Sequence, residues 1–285
     1  MSRPSGRRSP RHYPCPVTEL DYRALNRALW DERVAIHVAS DFYDVAGFRA
    51  GGTALRDFEI AEVGDVAGRR LAHLQCHFGL DTLSWARLGA RVTGLDFSGP
   101  AVEAAREIAA GCGLDARFVQ ADVYDAAAAL GETYEIVYTG IGALVWLPDM
   151  DRWAATVAGL LEPGGFLYLS EFHPFGDVRD DADGSTVAYD YFDTSPQVWD
   201  EPGTYTDGDQ DTRNTRSVVF QHGIGEVVSA LAAAGLRIDF LHEHDHTYFQ
   251  RFEALERHGT AYRLPEGRPR VPLMYSLRAT RPADG

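Results

Sequence analysis

Lysine is absent from this sequence. All 27 of its cationic side chains are arginines, in a chain of 285 residues that carries 42 acids. Without lysine there is no Schiff base to pyridoxal phosphate or to a carbonyl substrate, and no lysine for a phosphate-binding loop. Cysteine is scarce too. Cys15, Cys76 and Cys112 make no CxxC pair and no disulfide framework, and Cys76, which ends an apolar run, reads as a small buried residue. Long apolar runs are missing, so no stretch approaches the ~20 residues of a membrane helix. The start of the chain lacks the apolar core of a signal peptide, so a cytoplasmic protein is expected. What remains is an ordinary globular composition, 45% hydrophobic with a mean hydropathy of −0.25, enough for one large domain or two small ones.

The net charge of −15 repels phosphate backbones, and nucleic acid is not an expected partner. That charge is unevenly spread. Arg3, Arg7, Arg8 and Arg11 lie in a Pro/Ser/Gly-rich start with no acid, and residues 1–16 read as a disordered basic tail. Residues 173–211 hold eleven acids against Arg179 alone, which is −10 of the −15. Two readings of that segment stand side by side: a solvated loop, and a lid that attracts a cationic ligand.

Past the tail, residues 17–64 read as a helical cap. Asp21 to Arg33 is a helix with Tyr22, Leu25, Leu29 and Trp30 on one side, and Leu55 to Val63 a second helical piece beyond Phe42, Tyr43 and the pair Gly51-Gly52. From residue 65 to 285 strands and helices alternate. Strands are expected at 71–76, 91–95, 116–120, 135–138 and 166–171, with helices at 81–88, 100–110 and 150–161 between them. The stretch Leu161-Glu162-Pro163-Gly164-Gly165 reads as a helix-ending turn. Residues 173–221 break the rhythm as an acidic, aromatic insertion. A helix at 225–234 and strands at 236–242 and 272–280 follow. Short joints between alternating elements imply a doubly wound α/β domain, with a mostly parallel sheet covered on both faces. An insertion at the carboxyl end of the fifth strand lies where such sheets bind ligands.

The chemistry-bearing residues fall at successive strand ends. The first strand leads into Gln75-Cys76-His77-Phe78-Gly79-Leu80-Asp81, a turn and then a helix. The second ends in Gly94-Leu95-Asp96-Phe97-Ser98 and the third in Gln120-Ala121-Asp122-Val123. An acid at the tip of the second strand can accept hydrogen bonds from both hydroxyls of a ribose, and Asp122 beside the same crevice can accept from an adenine amine. Together they outline an adenosine-shaped site.

On the stretches LQCHFGLDTLSWARLGARVTGLDFS, QADVYD and LLEPGGFLYLSEFHP, the chain resembles the class I S-adenosylmethionine-dependent methyltransferases, and within them a subgroup with LQCHFG in the first cofactor loop. The likeness covers residues 65–175, and VPLMYSLRA resembles the family's last, antiparallel strand. It implies a seven-stranded sheet, S-adenosyl-L-methionine as cofactor, and in-line methyl transfer, while the acidic aromatic insertion points to a small, aromatic or amine-bearing acceptor. The resemblance points to Phe42, Tyr43, Gln75, His77, Gly79, Asp96, Phe97, Asp122, Val123 and Gly140 for the cofactor, and Trp146, which follows the fourth strand, should border the donor methyl. Tyr189, Tyr191 and Tyr248 are further candidates for the acceptor pocket. For Phe42 and Tyr43, packing against the domain is the competing role. The family's first turn reads acid-x-Gly-x-Gly-x-Gly. Here His73 replaces the acid, Gln75 and His77 replace two glycines, and only Gly79 remains.

A general base is useful when the acceptor is a hydroxyl or a protonated amine. His173, after the fifth strand, and His222, at the return from the insertion, are the candidates, each with a structural role as its alternative. His242, His244 and His246 share one strand face but read as polar residues where a strand runs out, and the acids Asp180, Asp181 and Asp183 lack strand-end placement, so no metal is expected. A binding protein without methyl transfer, regulatory or a non-methylating cyclase, is a second reading. An NAD-type oxidoreductase is a third, and the absence of lysine and of a Gly-rich turn weighs against it. No partner is expected beyond the acceptor and, as an open alternative, a second copy of the chain in a homodimer.

Overall fold

A computed structural model describes residues 21–180, 182–208 and 210–283. The basic tail at 1–16, and Cys15 within it, lie outside the described residues. The chain opens with α1 (Tyr22–Ala39), capped by the Asp21 carboxylate, which accepts from the Ala24 N–H at 3.0 Å. This helix outruns the expected 21–33 because Val34 and His37 continue its buried side. Two short helices follow, α2 (Val45–Arg49) and α3 (Asp57–Val63).

The alternating part then runs β1 (Arg70–Leu74), α4 (Leu80–Arg87), β2 (Arg91–Asp96), α5 (Gly99–Cys112), β3 (Ala116–Gln120), α6 (Ala126–Leu130), β4 (Tyr134–Thr139), α7 (Met150–Leu160) and β5 (Leu161–Phe172). The insertion carries α8 (Pro174–Asp177), β6 (Gln197–Asp200) and β7 (Arg216–Val219). After it come α9 (Ile224–Ala233), β8 (Arg237–His244), β9 (His246–Thr247), β10 (Glu256–His258), β11 (Ala261–Arg263) and β12 (Met274–Thr280).

Seven strands form one sheet in the order β3-β2-β1-β4-β5-β12-β8. β1 to β5 pair parallel, and β12 runs antiparallel to both β5 and β8. The doubly wound architecture with an antiparallel last strand is therefore the observed fold. Strand periodicity assigns the faces. Ala72, Leu74, Val137, Leu167 and Leu169 pack with Trp153, Val157 and Leu160 of α7 and Leu231 of α9 on one side. Leu71, Val92, Ile136, Tyr138 and Tyr168 pack against Trp85 of α4 on the other. Both tryptophans are wholly buried.

One local expectation changes, and other features are new. The 161–165 segment is no separate turn: α7 gives way directly to β5, Leu161 pairs with Tyr134, and the ladder shifts register before Ile136 meets Phe166. Gly164, at φ +80, lies within that irregularity. The insertion holds the β6-β7 hairpin, and β9, β10 and β11 form a small antiparallel sheet of their own. Helix α1 docks on that hairpin: the Asn26 side chain donates to the Val218 carbonyl and accepts from the Val218 N–H, both at 2.8 Å, while Tyr22 and Leu25 pack on Val198, Val218 and Phe220. Among the described residues no helix is long and apolar enough to cross a membrane.

Candidate active site

The carboxyl ends of β1 to β4 open into a cavity of about 1270 Å³, roofed by α1, the Asp41–Asp44 segment and the insertion. Its floor is the turn from β1 into α4. Gln75, His77 and Gly79 have φ of 56°, 49° and 78°, so every second residue is left-handed. These are the three places where the resembled family carries glycine. All three are left-handed although two of them bear side chains, at a cost of ~1–2 kcal/mol for each non-glycine residue. The path is held by the Cys76 N–H donating to the Leu95 carbonyl at 3.0 Å and the His77 N–H donating to Asp96 Oδ2 at 2.8 Å. The Gln75 amide donates to the Ala143 carbonyl at 2.9 Å, and its Oε1 is buried without a partner.

Gly79 is required for a second reason. A Cβ there would stand 2.7 Å from the Phe118 ring, as would one on Gly94. Both glycines make room for Phe118 beneath the turn.

Asp96, at the end of β2, is buried and uses both oxygens on backbone: Oδ2 on His77 N–H, and Oδ1 on Ser98 N–H at 2.9 Å. Burial pushes its carboxyl up to about 6, while the Ser98 and His77 N–H groups pull it down. Asp122 caps the helical turn Val123–Asp125 through Tyr124 N–H at 3.0 Å, and its other oxygen lies 3.3 Å from Arg23 Nε of α1. At the exit of β4, the buried Glu171 accepts from the Gly142, Ala143, Leu144 and Phe172 N–H groups at 2.6–3.1 Å. Burial lifts its carboxyl to about 7 against the pull of those four donors. This brace holds the loop that carries Trp146. Nothing in the motif reading pointed to it, although a lone acid in the apolar run Phe166–Phe172 was a visible signal.

Aromatic rings from four segments converge above the turn. Trp30 of α1 meets His77 at 5.1 Å and Trp146 at 5.3 Å between ring centroids. Tyr43 stands edge-on to Phe78 at 4.8 Å, and its hydroxyl is hydrogen-bonded to that of Tyr205 in the insertion. His37 and His77 face each other, Nδ1 to Nε2, at 2.9 Å, and His37 Nε2 reaches Thr204 Oγ1 at 2.7 Å. Burial holds both imidazoles neutral, His37 down to about 3 and His77 also far below its usual range.

All ten residues expected at the cofactor border this cavity, as do Trp146, Tyr189 and Tyr248. Tyr191 does not. Its ring lies against Phe192, and its carbonyl accepts from the Gln221 side chain. The two expected bases are also elsewhere. His173 caps α8, its Nδ1 accepting from Phe175 N–H at 3.1 Å and its Nε2 lying 2.9 Å from Glu243. His222 is held between Glu226, 3.0 Å away, and the Leu147 carbonyl, 2.7 Å away. Neither lines the cavity, because the chain turns away from it at both points. His242, His244 and His246 are separately engaged by Glu62, Ser276 and Asp245. Four of the insertion's acids serve as local caps, Asp180 on Asp183 and Thr186, Asp183 on Ser185, Asp190 on Phe192 and Asp193 on Ser195, while Asp207 accepts from the distant Asp41 and Phe42 N–H groups. Those four fit the solvated-loop reading; among the described residues of the insertion, Asp177, Glu201 and Asp207 are the acids that border the cavity.

Comparison with known proteins agrees with this geometry. Residues 72–167 match the family described as a methyltransferase domain. The ubiquinone biosynthesis O-methyltransferase of Salmonella arizonae is 32% identical over 113 residues, 40% of this chain and 46% of that protein. Its counterpart in Proteus mirabilis is 32% identical over 103 residues, 36% of this chain and 42% of that one. The chain thus spans less than half the length of the curated relatives it matches. Among solved structures, an S-adenosylmethionine-dependent methyltransferase of Clostridium acetobutylicum superposes with a TM-score of 0.56 at 12% identity, over 91% of this chain and 100% of that one. One of Methanosarcina mazei gives 0.52 at 17% identity, over 81% and 99%.

Proposed function

Because this chain carries a methyltransferase domain on the class I S-adenosylmethionine-dependent fold, we propose that it transfers a methyl group from S-adenosylmethionine to a small-molecule acceptor. The observation that carries this reading is the ordered set at successive strand ends around one cavity: the left-handed turn 75–79, Asp96 and Asp122. The residues present fit the cofactor. The turn is left-handed at 75, 77 and 79, the positions where the resembled family has glycine, Asp96 has lone pairs left for ribose hydroxyls, and Gln75 Oε1 is a buried acceptor in want of a donor.

When bound, the cofactor supplies an electrophilic methyl group on a sulfonium. The protein's share is alignment and exclusion of water, and orientation alone is worth ~7–11 kcal/mol toward such a barrier. Trp30, Tyr43 and Trp146 border the cavity, and an aromatic face attracts a cation. Tyr189, Trp199, Tyr205 and Phe249 supply an aromatic wall on the insertion side, with Asp177 and Glu201 among them. That combination favours an aromatic or amine-bearing acceptor. With His173 and His222 turned away, no histidine base is assigned. The net charge of −15 argues against nucleic acid as substrate. We place the protein in the cytoplasm, with a homodimer as the assembly to test.

Calorimetry with S-adenosylmethionine and S-adenosylhomocysteine tests the reading: micromolar binding is expected, and none below millimolar would end it. A screen of phenols, amines and thiols coupled to homocysteine release then identifies the acceptor class. Cofactor binding with no labelled methyl reaching any acceptor would favour the non-methylating reading. Absorbance change with nicotinamide cofactors would favour an oxidoreductase.

A further inference from the structure

The cofactor of the proposed reaction ends in an α-amino acid, a carboxylate and an ammonium on one carbon. Its binding calls for a cation and an anion side by side in the cavity, away from Asp96 and Asp122. In the resembled family the first acid of the turn motif stands where this chain has His73. His73 cannot supply that charge: it is buried, hydrogen-bonded through Nδ1 to Thr82 Oγ1 at 2.7 Å, and held neutral by burial.

A carboxylate reaches the same place from another element. Asp81 lies in the first turn of α4, and a Cβ on Gly140, at the β4 exit, would stand 3.5 Å from Asp81 Oδ2 and 3.6 Å from His73 Nε2. Both side chains therefore converge on one point beside β4. β1 pairs with β2 on one side and with β4 on the other. Asp96 at β2 and Asp81 beside β4 thus flank the turn from opposite sides.

The cation is Arg56, the residue that caps α3. Its Nη1 is 3.8 Å from Asp81 Oδ2 and 3.5 Å from Glu59 Oε2, and its guanidinium faces the Tyr248 ring at 5.3 Å. Glu59 is wholly buried, and the Arg56 N–H and the Tyr138 hydroxyl also donate to its carboxylate, at 2.9 and 2.8 Å. It anchors Arg56 from behind. Arg56 and Asp81 sit at the long end of ion-pair distance and both keep 24% of their side-chain surface exposed on the cavity wall. Two opposite charges so placed can each take a further partner.

We propose that Arg56 and Asp81 together bind the amino-acid end of S-adenosylmethionine, Arg56 taking the carboxylate and Asp81 the ammonium, in place of the acid absent from position 73. A guanidinium suits a carboxylate through paired N–H donors, and a carboxylate accepts from an ammonium. This inference rests on the cofactor reading above.

The test compares two ligands by calorimetry: S-adenosylhomocysteine, which has the amino-acid end, and 5′-methylthioadenosine, which lacks it. In Asp81→Asn and Arg56→Gln, affinity for the first should fall about tenfold to a hundredfold, while affinity for the second stays within about twofold, the span this comparison must resolve. Unchanged affinity for S-adenosylhomocysteine in both variants, or equal loss for both ligands, overturns the clamp. If the unaltered protein binds neither ligand, the cofactor reading itself fails and the clamp with it. Arg56→Gln removes an anchor of Glu59, so its folding is checked by circular dichroism. Asp81→Asn, which keeps the shape but loses the charge and turns one acceptor oxygen into a donor, decides the matter if Arg56→Gln does not fold.

Discussion

His37 of α1 and His77 of the first turn are joined ring to ring at 2.9 Å, one imidazole donating and the other accepting, with Thr204 of the insertion on the far nitrogen of His37. Three separate parts of the chain meet in this row, and both rings are held neutral by burial. The sign of the pH effect follows. In the fold His37 titrates at about 3, whereas in the unfolded chain a histidine titrates near ~6.5. Between these values the unfolded state holds a proton that the folded state does not. The residue's contribution to stability therefore falls as pH drops below ~6.5, by about 1.4 kcal/mol per pH unit, until it levels off near the folded value. At pH 7 His37→Gln should be less stable than the unaltered protein by about 1–3 kcal/mol, since two half-buried partners lose a hydrogen bond. At pH 5 that gap should narrow by about 1–2 kcal/mol. Urea denaturation at both pH values measures it, and a constant gap would contradict the assignment.

The left-handed turn gives a prediction that runs against the usual preference for alanine over glycine. At position 77 the backbone has φ 49°, a conformation glycine adopts freely and alanine does not. His77→Gly should therefore be more stable than His77→Ala by about 1 kcal/mol, although both lose the imidazole. Denaturation midpoints of the two variants compare them directly, and alanine at or above glycine would mean the turn has another path in solution.

Asp96 is expected from the sequence as a ribose-binding acid, and the structure adds a structural duty that the sequence did not show. Its two oxygens serve the His77 and Ser98 N–H groups. Asp96→Ala should cost about 2–5 kcal/mol of stability, because two buried donors lose their acceptor, and should abolish S-adenosylhomocysteine binding as well. Asp96→Asn, with one acceptor oxygen left, should fall between. A fully stable Asp96→Ala would mean that water replaces the carboxylate and that its role lies with ligand alone.

What sequence could reveal here depended on whether a residue's role is set by local order or by distant partners. The alternation of β1 to β5 with their helices follows from short-range periodicity, and the positions of Gln75, Asp96 and Asp122 follow from where strands end. His173 and His222 also follow strand ends, yet the chain turns at each and commits both ring nitrogens to Glu243, Glu226 and backbone partners. That direction depends on tertiary packing. The pairing of Asn26 with Val218 spans 192 positions and has no local signature, so the docking of α1 on the insertion was invisible. The aromatic wall was legible in kind but not member by member: Tyr189 and Tyr248 border the cavity and Tyr191 does not. Asp81 lies within the first quoted stretch but had no role assigned, Arg56 lies outside all of them, and only the fold brings Asp81 beside His73 and Gly140 and Arg56 beside Asp81.

Glu171 carries the exit of β4, and its removal should separate loop order from overall folding. Its carboxylate gathers the N–H groups of residues 142 to 144 at 2.6–3.1 Å, directly ahead of Trp146. Glu171→Ala leaves those donors without an acceptor in a buried place, a loss of about 3 kcal/mol or more. Glu171→Gln keeps the shape but turns one end from acceptor to donor, so part of the brace survives and the loss should be smaller. Because Trp146 packs edge-on to Trp30 at 5.3 Å, loosening this loop should also change the near-ultraviolet circular dichroism while the far-ultraviolet signal of the sheet and helices persists. Both spectra and a urea titration on the two variants test this. An alanine variant with unaltered stability and unaltered near-ultraviolet signal would show that the loop holds its form without the carboxylate.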